Sequence, residues 1–261
     1  MFPSFNLFGM PISMYAVCIL IGLTFGILLA VFWTDRAGLK RDDVFYSCLF
    51  AVIGLIVGSK VLYWITIIPF LIEHPEIFST QAGWLALFQG GFVFYGGLIG
   101  ALLMVWWYAR SYKIPVLALF DRLVPSVPLA HLFGRLGCFC AGCCYGLPSS
   151  FGVEFNASEV APHGVKLFPI QLVEAACNLL LFGLLLLLRR FCRRQGMPTG
   201  IYLAGYAVIR FVLEFFRYDA ERGGFWGLST SQWISLALLP AAVLILRFGG
   251  ARKNEEAEQD G

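Results

Sequence analysis

The chain has 261 residues, of which 59% are hydrophobic and 13% are charged, and its formal net charge is +3. An ordinary soluble domain has roughly 45–50% apolar and about 25% charged residues. This composition excludes a typical water-soluble globular protein, and the small positive charge gives no indication of nucleic-acid binding. We therefore predict one polytopic integral membrane domain of all-α fold class over residues 1–261, with a frayed charged tail at about 252–261.

Apolar runs recur along the chain at about the 20-residue length that a membrane span requires. Polar residues or glycines interrupt three of the seven runs, but their lengths are similar. The sequence therefore predicts seven transmembrane helices. We expect the first run to be a helix and not a cleaved signal, because no basic region precedes it and no small-residue cleavage site follows it. The runs are 12–33, 44–64, 92–108, 116–139, 167–188, 201–216 and 229–246.

The positions of Lys and Arg predict the orientation, because these residues are retained on the cytoplasmic side of a membrane. Twelve follow the odd-numbered helices, whereas the opposite loops hold only Lys166, Arg217 and Arg222. We expect an N-terminus outside, a cytoplasmic C-terminus and small extracytoplasmic head segments, one with a short strand near 151–155. The twelve are Arg36, Lys40, Arg41, Arg110, Lys113, Arg189, Arg190, Arg193, Arg194, Arg247, Arg252 and Lys253.

Several charged residues fall inside the predicted spans, where each costs at least roughly 2.5–3.5 kcal/mol and is usually functional. Arg210, Glu214 and Arg217 are spaced i, i+4 and i+7, which predicts one helical face. Two guanidiniums around one carboxylate favour an anion, and a lipid phosphate suits the donor fork of arginine. The alternative is an ion pair that only ties helices together. Lys60 and Arg122 are two further buried charges.

A second group of polar and small residues lies near the end of the fourth predicted helix. Gly134 and Gly137 flank Arg135, and glycines permit close approach of a lipid headgroup or of another backbone. Ordinary helix packing is the alternative for each glycine. His131 lies one turn before Arg135 and is a general base by residue type, or else a hydrogen-bonded residue of the bundle.

Two glycine pairs bracket an aromatic run at the start of the third predicted helix, in the stretch 90–100. We expect a loosened helix start that exposes Tyr95 and the backbone at Gly96 and Gly97 to the site. Close helix packing with Tyr95 at the membrane interface is the alternative, which spacing alone slightly favours.

Four cysteines form a cluster, namely Cys138, Cys140, Cys143 and Cys144. Soft-metal binding, a disulfide or simple apolar packing remain open for them. Their spacing does not reproduce two separated C-x-x-C pairs, so we expect no metal and no cofactor. A cysteine-based metal or redox membrane protein is one alternative class. A transporter is another, which the near absence of acidic residues in the spans disfavours.

Three motifs in order resemble the prolipoprotein diacylglyceryl transferases of bacteria, over nearly the whole chain. GRLGCFCAGCCYG at 134–146 is similar to the family signature that begins Gly-Arg-x-Gly-Asn-Phe. GGFVFYGGLIG at 90–100 is similar to Ser-x-His-Gly-Gly-Leu-x-Gly, and RFVLEFFRYD at 210–219 to Arg-Phe-x-x-Glu-x-x-Arg. Tyr95 stands in place of the family histidine, Cys138 in place of the signature asparagine, and Cys143 in place of an acidic residue.

The resemblance implies transfer of the diacylglyceryl group of phosphatidylglycerol to the lipobox cysteine thiol of a preprolipoprotein signal peptide. Glycerol phosphate is the leaving product, no cofactor is implied, and the location is the bacterial cytoplasmic (inner) membrane. It gives Arg135 phosphate binding and Arg210 a catalytic or gating role. Tyr95 is a poor base because its reference pKa is about 10, so His131 is favoured. Substrate-binding residues are then Arg135, Arg210, Glu214, Arg217, Gly96, Gly97, Gly134, Gly137 and Cys138.

Overall fold

The computed structural model describes residues 3–7, 10–32, 39–158, 160–192, 194–218 and 224–250. The predicted tail, Arg36, Arg193 and Arg222 lie outside these residues. The chain divides into two compact units, which are Met1–Gly38 with Phe120–Gly261, and Leu39–Leu119. The single membrane domain over 1–261 stays a prediction.

The described residues are mostly helical, with three short hairpins. The helices are α1 (Met14–Phe32), α2 (Arg41–Thr66), α3 (Ile68–Glu73), α4 (Gln81–Gln89), α5 (Phe94–Ser111), α6 (Val116–Leu123), α7 (Ser126–Ala141), α8 (Ile170–Leu188), α9 (Met197–Glu214) and α10 (Thr230–Phe248), with a 3-10 helix at Pro75–Ser79. The antiparallel hairpins are β1 (Ser4–Leu7) with β2 (Met10–Ser13), β3 (Pro148–Glu154) with β4 (Lys166–Leu167), and β5 (Gly224–Phe225) with β6 (Leu228–Ser229).

Five segments of the described chain are long and apolar enough to cross a membrane: α1, α2, the stretch Val116–Ala141, α8 and α10. Helices α5 and α9 stand at the predicted positions but are not among the five, because glycines, aromatic residues and charges dilute their apolar content. A mostly helical membrane protein is thus confirmed. The number seven and the orientation stay predictions.

The fourth predicted span, 116–139, is confirmed as the apolar segment Val116–Ala141, but it consists of two helices rather than one. Helices α6 and α7 are separated at Val124 and Pro125. A residue before proline is disfavoured in helical conformation, which explains the break. The short helix α6 is held by hydrogen bonds to α1 and to α9. The Arg122 guanidinium donates to the Val31 carbonyl at 3.0 Å, and Asp121 accepts from the Thr199 amide at 3.1 Å.

Helices α2 and α5 pack through glycines within the unit Leu39–Leu119. A Cβ added at Gly58 would collide with the Gly96 carbonyl, and one added at Gly54 would collide with the Gly100 carbonyl. Small residues four apart on both helices allow such close backbone approach in apolar surroundings. Lys60 on α2 donates to the Gly90 carbonyl at 2.6 Å, which gives its ammonium group an acceptor within the unit.

In the other unit, α1 packs on α7, α7 on α8, α8 on α9 and α9 on α10. Leu181, Leu185 and Tyr202 form an apolar core between helices. The predicted strand near 151–155 is confirmed as β3, which pairs with β4. Phe155 and Leu167 are fully buried beneath this hairpin and fix it to the end of α7.

Candidate active site

A buried carboxylate on α8, Glu174, is the centre of the charged site. Its residue exposure is 1%. One oxygen, Oε1, lies 2.9 Å from Arg135 Nη2 and 3.6 Å from His131 Nε2, both on α7. The predicted pairing of His131 and Arg135 on one face of α7 is therefore confirmed. What holds the two side chains together is a residue on the next helix.

Arg217 joins the same carboxylate from beyond the end of α9. Its Nη1 lies 3.9 Å from Glu174 Oε2, and its Nε lies 4.0 Å from Glu214 Oε2. The prediction that Arg217 shares a helical face with Glu214 is wrong, because α9 ends at Glu214 and a turn follows. Arg217 instead forms an isolated antiparallel bridge with Gly146, which brings the chain after α7 beside it.

Arg210 and Glu214 form an i, i+4 ion pair on α9, with Arg210 Nη2 2.6 Å from Glu214 Oε2. The start of α10 supports both partners. Arg210 Nη2 donates to Ser231 Oγ at 2.9 Å, and Ser229 Oγ donates to Glu214 Oε1 at 2.8 Å. Ser229 is also the N-cap of α10, so the same residue begins the helix and orients the carboxylate.

These contacts form one chain of alternating charges, in the order Arg135, Glu174, Arg217, Glu214 and Arg210. Three guanidiniums against two carboxylates leave one net positive charge. Two donors, Arg135 Nε and Arg210 Nη1, are buried and have no hydrogen-bond acceptor among the residues that the structure describes. Buried donors are nearly always satisfied in proteins, so these two suit an anionic ligand.

The chain reverses sharply after α7. Gly142 has φ +72° and ends the helix in the left-handed conformation, and the Cys143 amide donates to the Cys138 carbonyl at 3.1 Å. The Sγ atoms of Cys138, Cys143 and Cys144 consequently lie within 4.8 Å of one another. Hydrogen bonds from the Cys138 and Cys143 thiols lower the pKa of Cys144, and nearby guanidiniums act in the same direction.

The predicted glycines divide into two kinds by their surroundings. A Cβ at Gly134 would meet only Ile19 Cδ1 of α1, at an ordinary 3.5 Å, whereas one at Gly137 would crowd Tyr15 and Cys18 at 3.1 Å. Gly96 packs on the Gly58 carbonyl. In the unit containing Arg135, Gly134 is thus the more open position.

Tyr95 and its neighbours are in the unit Leu39–Leu119. Tyr95 is the second residue of α5, is 37% exposed and makes an edge contact with Phe94 at 5.7 Å. Gly97 is packed against Ser59 of α2. The structure therefore gathers the predicted residues His131, Arg135, Arg210, Glu214 and Arg217 into one network, and it places Tyr95, Gly96 and Gly97 on the α2–α5 pair.

The sequence analysis missed Glu174. It described the predicted spans as nearly free of acidic residues, and this description is wrong for α8, which carries Glu174. The signal was present in the leucine-rich run, because Gln171, Glu174 and Asn178 are spaced i, i+3 and i+7 and form a polar stripe on α8. All three are buried. Ser229 and Ser231 gave no such signal, since they contact the site only after α10 has packed on α9.

The fold and site define a class: a helical membrane protein with a buried, net cationic network. Residues 3–248 match the family of prolipoprotein diacylglyceryl transferases. A Clostridium tetani protein named phosphatidylglycerol–prolipoprotein diacylglyceryl transferase is 36% identical over 251 residues, covering 95% of this chain and 98% of its own. A Clostridium perfringens protein of that name, numbered 2, is 34% identical over 253 residues, covering 96% of each chain. One from Polaromonas naphthalenivorans is 33% identical and covers 80% of this chain and 77% of its own.

The chain therefore belongs to the prolipoprotein diacylglyceryl transferase family and is a transferase. A transporter or a cysteine-based redox protein is not favoured by these relatives.

Proposed function

We propose that the protein transfers the diacylglyceryl group of phosphatidylglycerol to the lipobox cysteine thiol of a preprolipoprotein signal peptide and releases glycerol phosphate. The names of the relatives support the two substrates. The observation that carries the proposal is the buried network around Glu174, which has one net positive charge and two unused guanidinium donors. A phosphodiester headgroup supplies the anion that such donors bind.

The reaction needs stabilisation of the charge that develops on the leaving phosphate oxygen. Arg135 and Arg210 supply it, because preorganised donors in a dry site stabilise developing charge far better than water does. Glu174 and Glu214 hold these guanidiniums in place before the lipid binds. Arg217 connects the two carboxylates and keeps the network positive as a whole.

The acceptor thiol must also lose its proton, since its unperturbed pKa is about 8.5. His131 is our candidate base. Its Nε2 lies 3.6 Å from Glu174 Oε1, so the carboxylate orients the ring. A role of Tyr95 as a hydrogen-bond donor to a lipid stays a prediction. Gly134 leaves room beside Arg135 for the headgroup, whereas Gly137 packs against α1, and Cys138 lies one turn beyond Arg135 on α7.

We also propose seven spans, counting α5 and α9 with the five strongly apolar segments, and a location in the bacterial cytoplasmic membrane. Helix α9 carries Arg210 and Glu214, so its lower apolar content follows from the site that it builds. An N-terminus outside places the chain after α7, with Arg217, at the outer face, where the lipobox of an exported precursor is accessible.

A reconstituted reaction tests the function. Purified protein in phosphatidylglycerol vesicles receives a lipobox peptide, and mass spectrometry monitors the diacylglyceryl thioether and free glycerol phosphate. The proposal predicts both products in equal amounts, and none with a peptide whose cysteine is replaced by serine. Formation of the thioether without release of glycerol phosphate would contradict the proposal. Absence of the thioether when the protein is folded would contradict it as well.

A further inference from the structure

Three thiols, one near the end of α7 and two in the turn after it, neither bind the lipid phosphate nor accept the thiol proton in the proposed transfer step. The Sγ atoms of Cys138, Cys143 and Cys144 all lie within 4.8 Å of one another. Cys138 is buried, whereas the other two are partly accessible. The cluster therefore lies where the packed interior meets the accessible surface, as a site open to a second substrate must.

The backbone holds these thiols together, so their proximity does not depend on side-chain rotation alone. Cys144 has φ +58°, a conformation that costs a non-glycine residue about 1 kcal/mol or more. Gln171 Nε2 on α8 donates to the Cys143 carbonyl at 2.7 Å and fixes the turn against the next helix. Strain that the surroundings maintain at a cluster of nucleophiles is characteristic of a functional site.

The geometry fits a tetrahedral zinc ion with one position left open. Zinc–thiolate bonds of about 2.3 Å put sulfur atoms about 3.8 Å apart, so the cluster needs to contract by less than about 1 Å. Catalytic zinc sites have three protein ligands and a fourth position for water or substrate, whereas structural sites have four protein ligands. Within the described residues, the group of potential ligands consists of these three cysteines and does not include Cys140.

The surrounding charges also fit. Zinc with three thiolates has one net negative charge, and the neighbouring network of three arginines and two glutamates has one net positive charge. Arg135 and Arg217 both act electrostatically on Cys144, and Tyr15 of α1 faces the cluster as well. The guanidiniums would therefore stabilise the thiolates of an occupied site, while Arg135 Nε and Arg210 Nη1 remain as donors for the lipid phosphate.

We propose that Cys138, Cys143 and Cys144 hold a zinc ion whose fourth position binds the acceptor thiol of the transfer reaction. The proposal rests on the proposed function and supplies its thiol activation, because a thiol that coordinates zinc is deprotonated. The cysteine spacing alone led us to expect no metal. The chain reversal at Gly142, however, brings together cysteines that are separated in the sequence.

The step balances without any oxidant or reductant. The peptide thiol binds zinc and releases its proton to water. A sulfur lone pair forms the new bond to the glycerol carbon while the carbon–oxygen bonding pair leaves with the phosphate oxygen as glycerol phosphate. Zinc keeps its oxidation state, and the neutral thioether, a weaker ligand than a thiolate, dissociates.

Metal binding is tested on the full chain in detergent, stripped with a chelator and titrated with Zn²⁺ or Co²⁺ alone. We expect one ion per chain and a visible Co²⁺ spectrum typical of tetrahedral thiolate ligation. Adding lipobox peptide should change that spectrum, and the peptide with serine at the lipobox position should not. If the Co²⁺ spectrum does not change when the lipobox peptide is added, the proposed binding of the peptide thiol at the fourth coordination position is wrong.

Matched variants locate the site. Cys138→Ser and Cys144→Ser should lose the Co²⁺ spectrum, whereas Cys140→Ser, in the same segment but outside the group, should keep it. Thermal unfolding of each metal-free variant shows whether it has folded. Retention of stoichiometric metal by folded Cys144→Ser would contradict the assignment.

Transfer rates separate this proposal from the proposed function. At pH 7 a thiol of pKa about 8.5 is only about 3% thiolate, so metal-free protein should be slower by roughly 30-fold, and the gap should close toward pH 9. Equal rates with and without metal would overturn the zinc site alone. Absence of thioether from metal-loaded, folded protein would instead overturn the transfer function.

Discussion

The α2–α5 pair and the α7–α10 network hold helices together by opposite means. Between α2 and α5, glycines such as Gly58 and Gly96 bring two backbones into direct contact. Around Glu174, helices are joined by charged side chains that leave one positive charge and two donors unused. The glycine contact leaves no group in need of a ligand, which indicates a role in stability. The ionic network lacks an anion for its unused donors, which indicates a binding site.

The largest effect that we expect is a loss of transfer rate when an arginine of the charged network is removed. Arg135→Ala and Arg210→Ala should each lower transfer by roughly 10²–10³-fold, the usual loss when a donor to a developing oxyanion is removed. Arg247→Ala, an exposed arginine at the end of α10, is the matched control and should retain the wild-type rate. The rates are measured as thioether formed per folded protein. Near wild-type turnover by either network variant would mean that this network is only structural.

Glu174→Gln tests the centre of the network by stability. Removing a buried charge that faces two arginines should lower the free energy of unfolding by about 3 kcal/mol, because the guanidiniums are left without compensation. Glu154→Gln, on exposed β3, should change it little. Thermal unfolding in detergent measures both variants. An unchanged melting temperature for Glu174→Gln would show that Arg135 finds another partner.

These comparisons also show what the sequence can predict. The helix positions follow from apolar length, and the charged side chains on α7 and α9 follow from the rarity of charge in a span. Arg217 was misplaced on a helix because i, i+7 spacing gives no information on where the helix ends. Its true position depends on the bridge to Gly146, a contact between segments distant in sequence.

Two other features could not be placed by periodicity. The break between α6 and α7 follows from Pro125, but an apolar run with a proline is also compatible with a kinked single helix. The cysteine cluster depends on the left-handed turn at Gly142 and Cys144, which spacing does not encode. Glu174, by contrast, was predictable from the polar stripe on α8.

A smaller effect is expected from the glycine contact. Gly58→Ala should destabilise the protein by about 1–3 kcal/mol, because its Cβ meets a backbone carbonyl that cannot move aside. Gly134→Ala has open space and should leave stability nearly unchanged, so any loss of its transfer rate would report close approach of the lipid. Unfolding of both variants in detergent is the measurement. Equal destabilisation by the two substitutions would remove the distinction between the packed and the open glycine.

The smallest effect concerns thiol activation. His131→Gln should lower transfer about 10-fold near pH 7, and the loss should shrink toward pH 9, where more of the peptide is already thiolate. Tyr95→Phe should be mild throughout. Rates across pH 6–9 with peptide below saturation test both. If Tyr95→Phe is inactive and His131→Gln has a normal rate, the phenol of Tyr95 takes the role of the family histidine.

The most direct test of the central claim is the pH dependence of the Arg210→Ala defect. If Arg210 stabilises the leaving phosphate, supplying more thiolate does not repair its loss. Transfer by Arg210→Ala and wild type is compared at pH 7 and pH 9, in the same phosphatidylglycerol vesicles and per folded protein. The account predicts a defect of roughly 10²–10³-fold at both values. A defect that disappears at pH 9 would contradict it and assign the arginine network to the thiol instead.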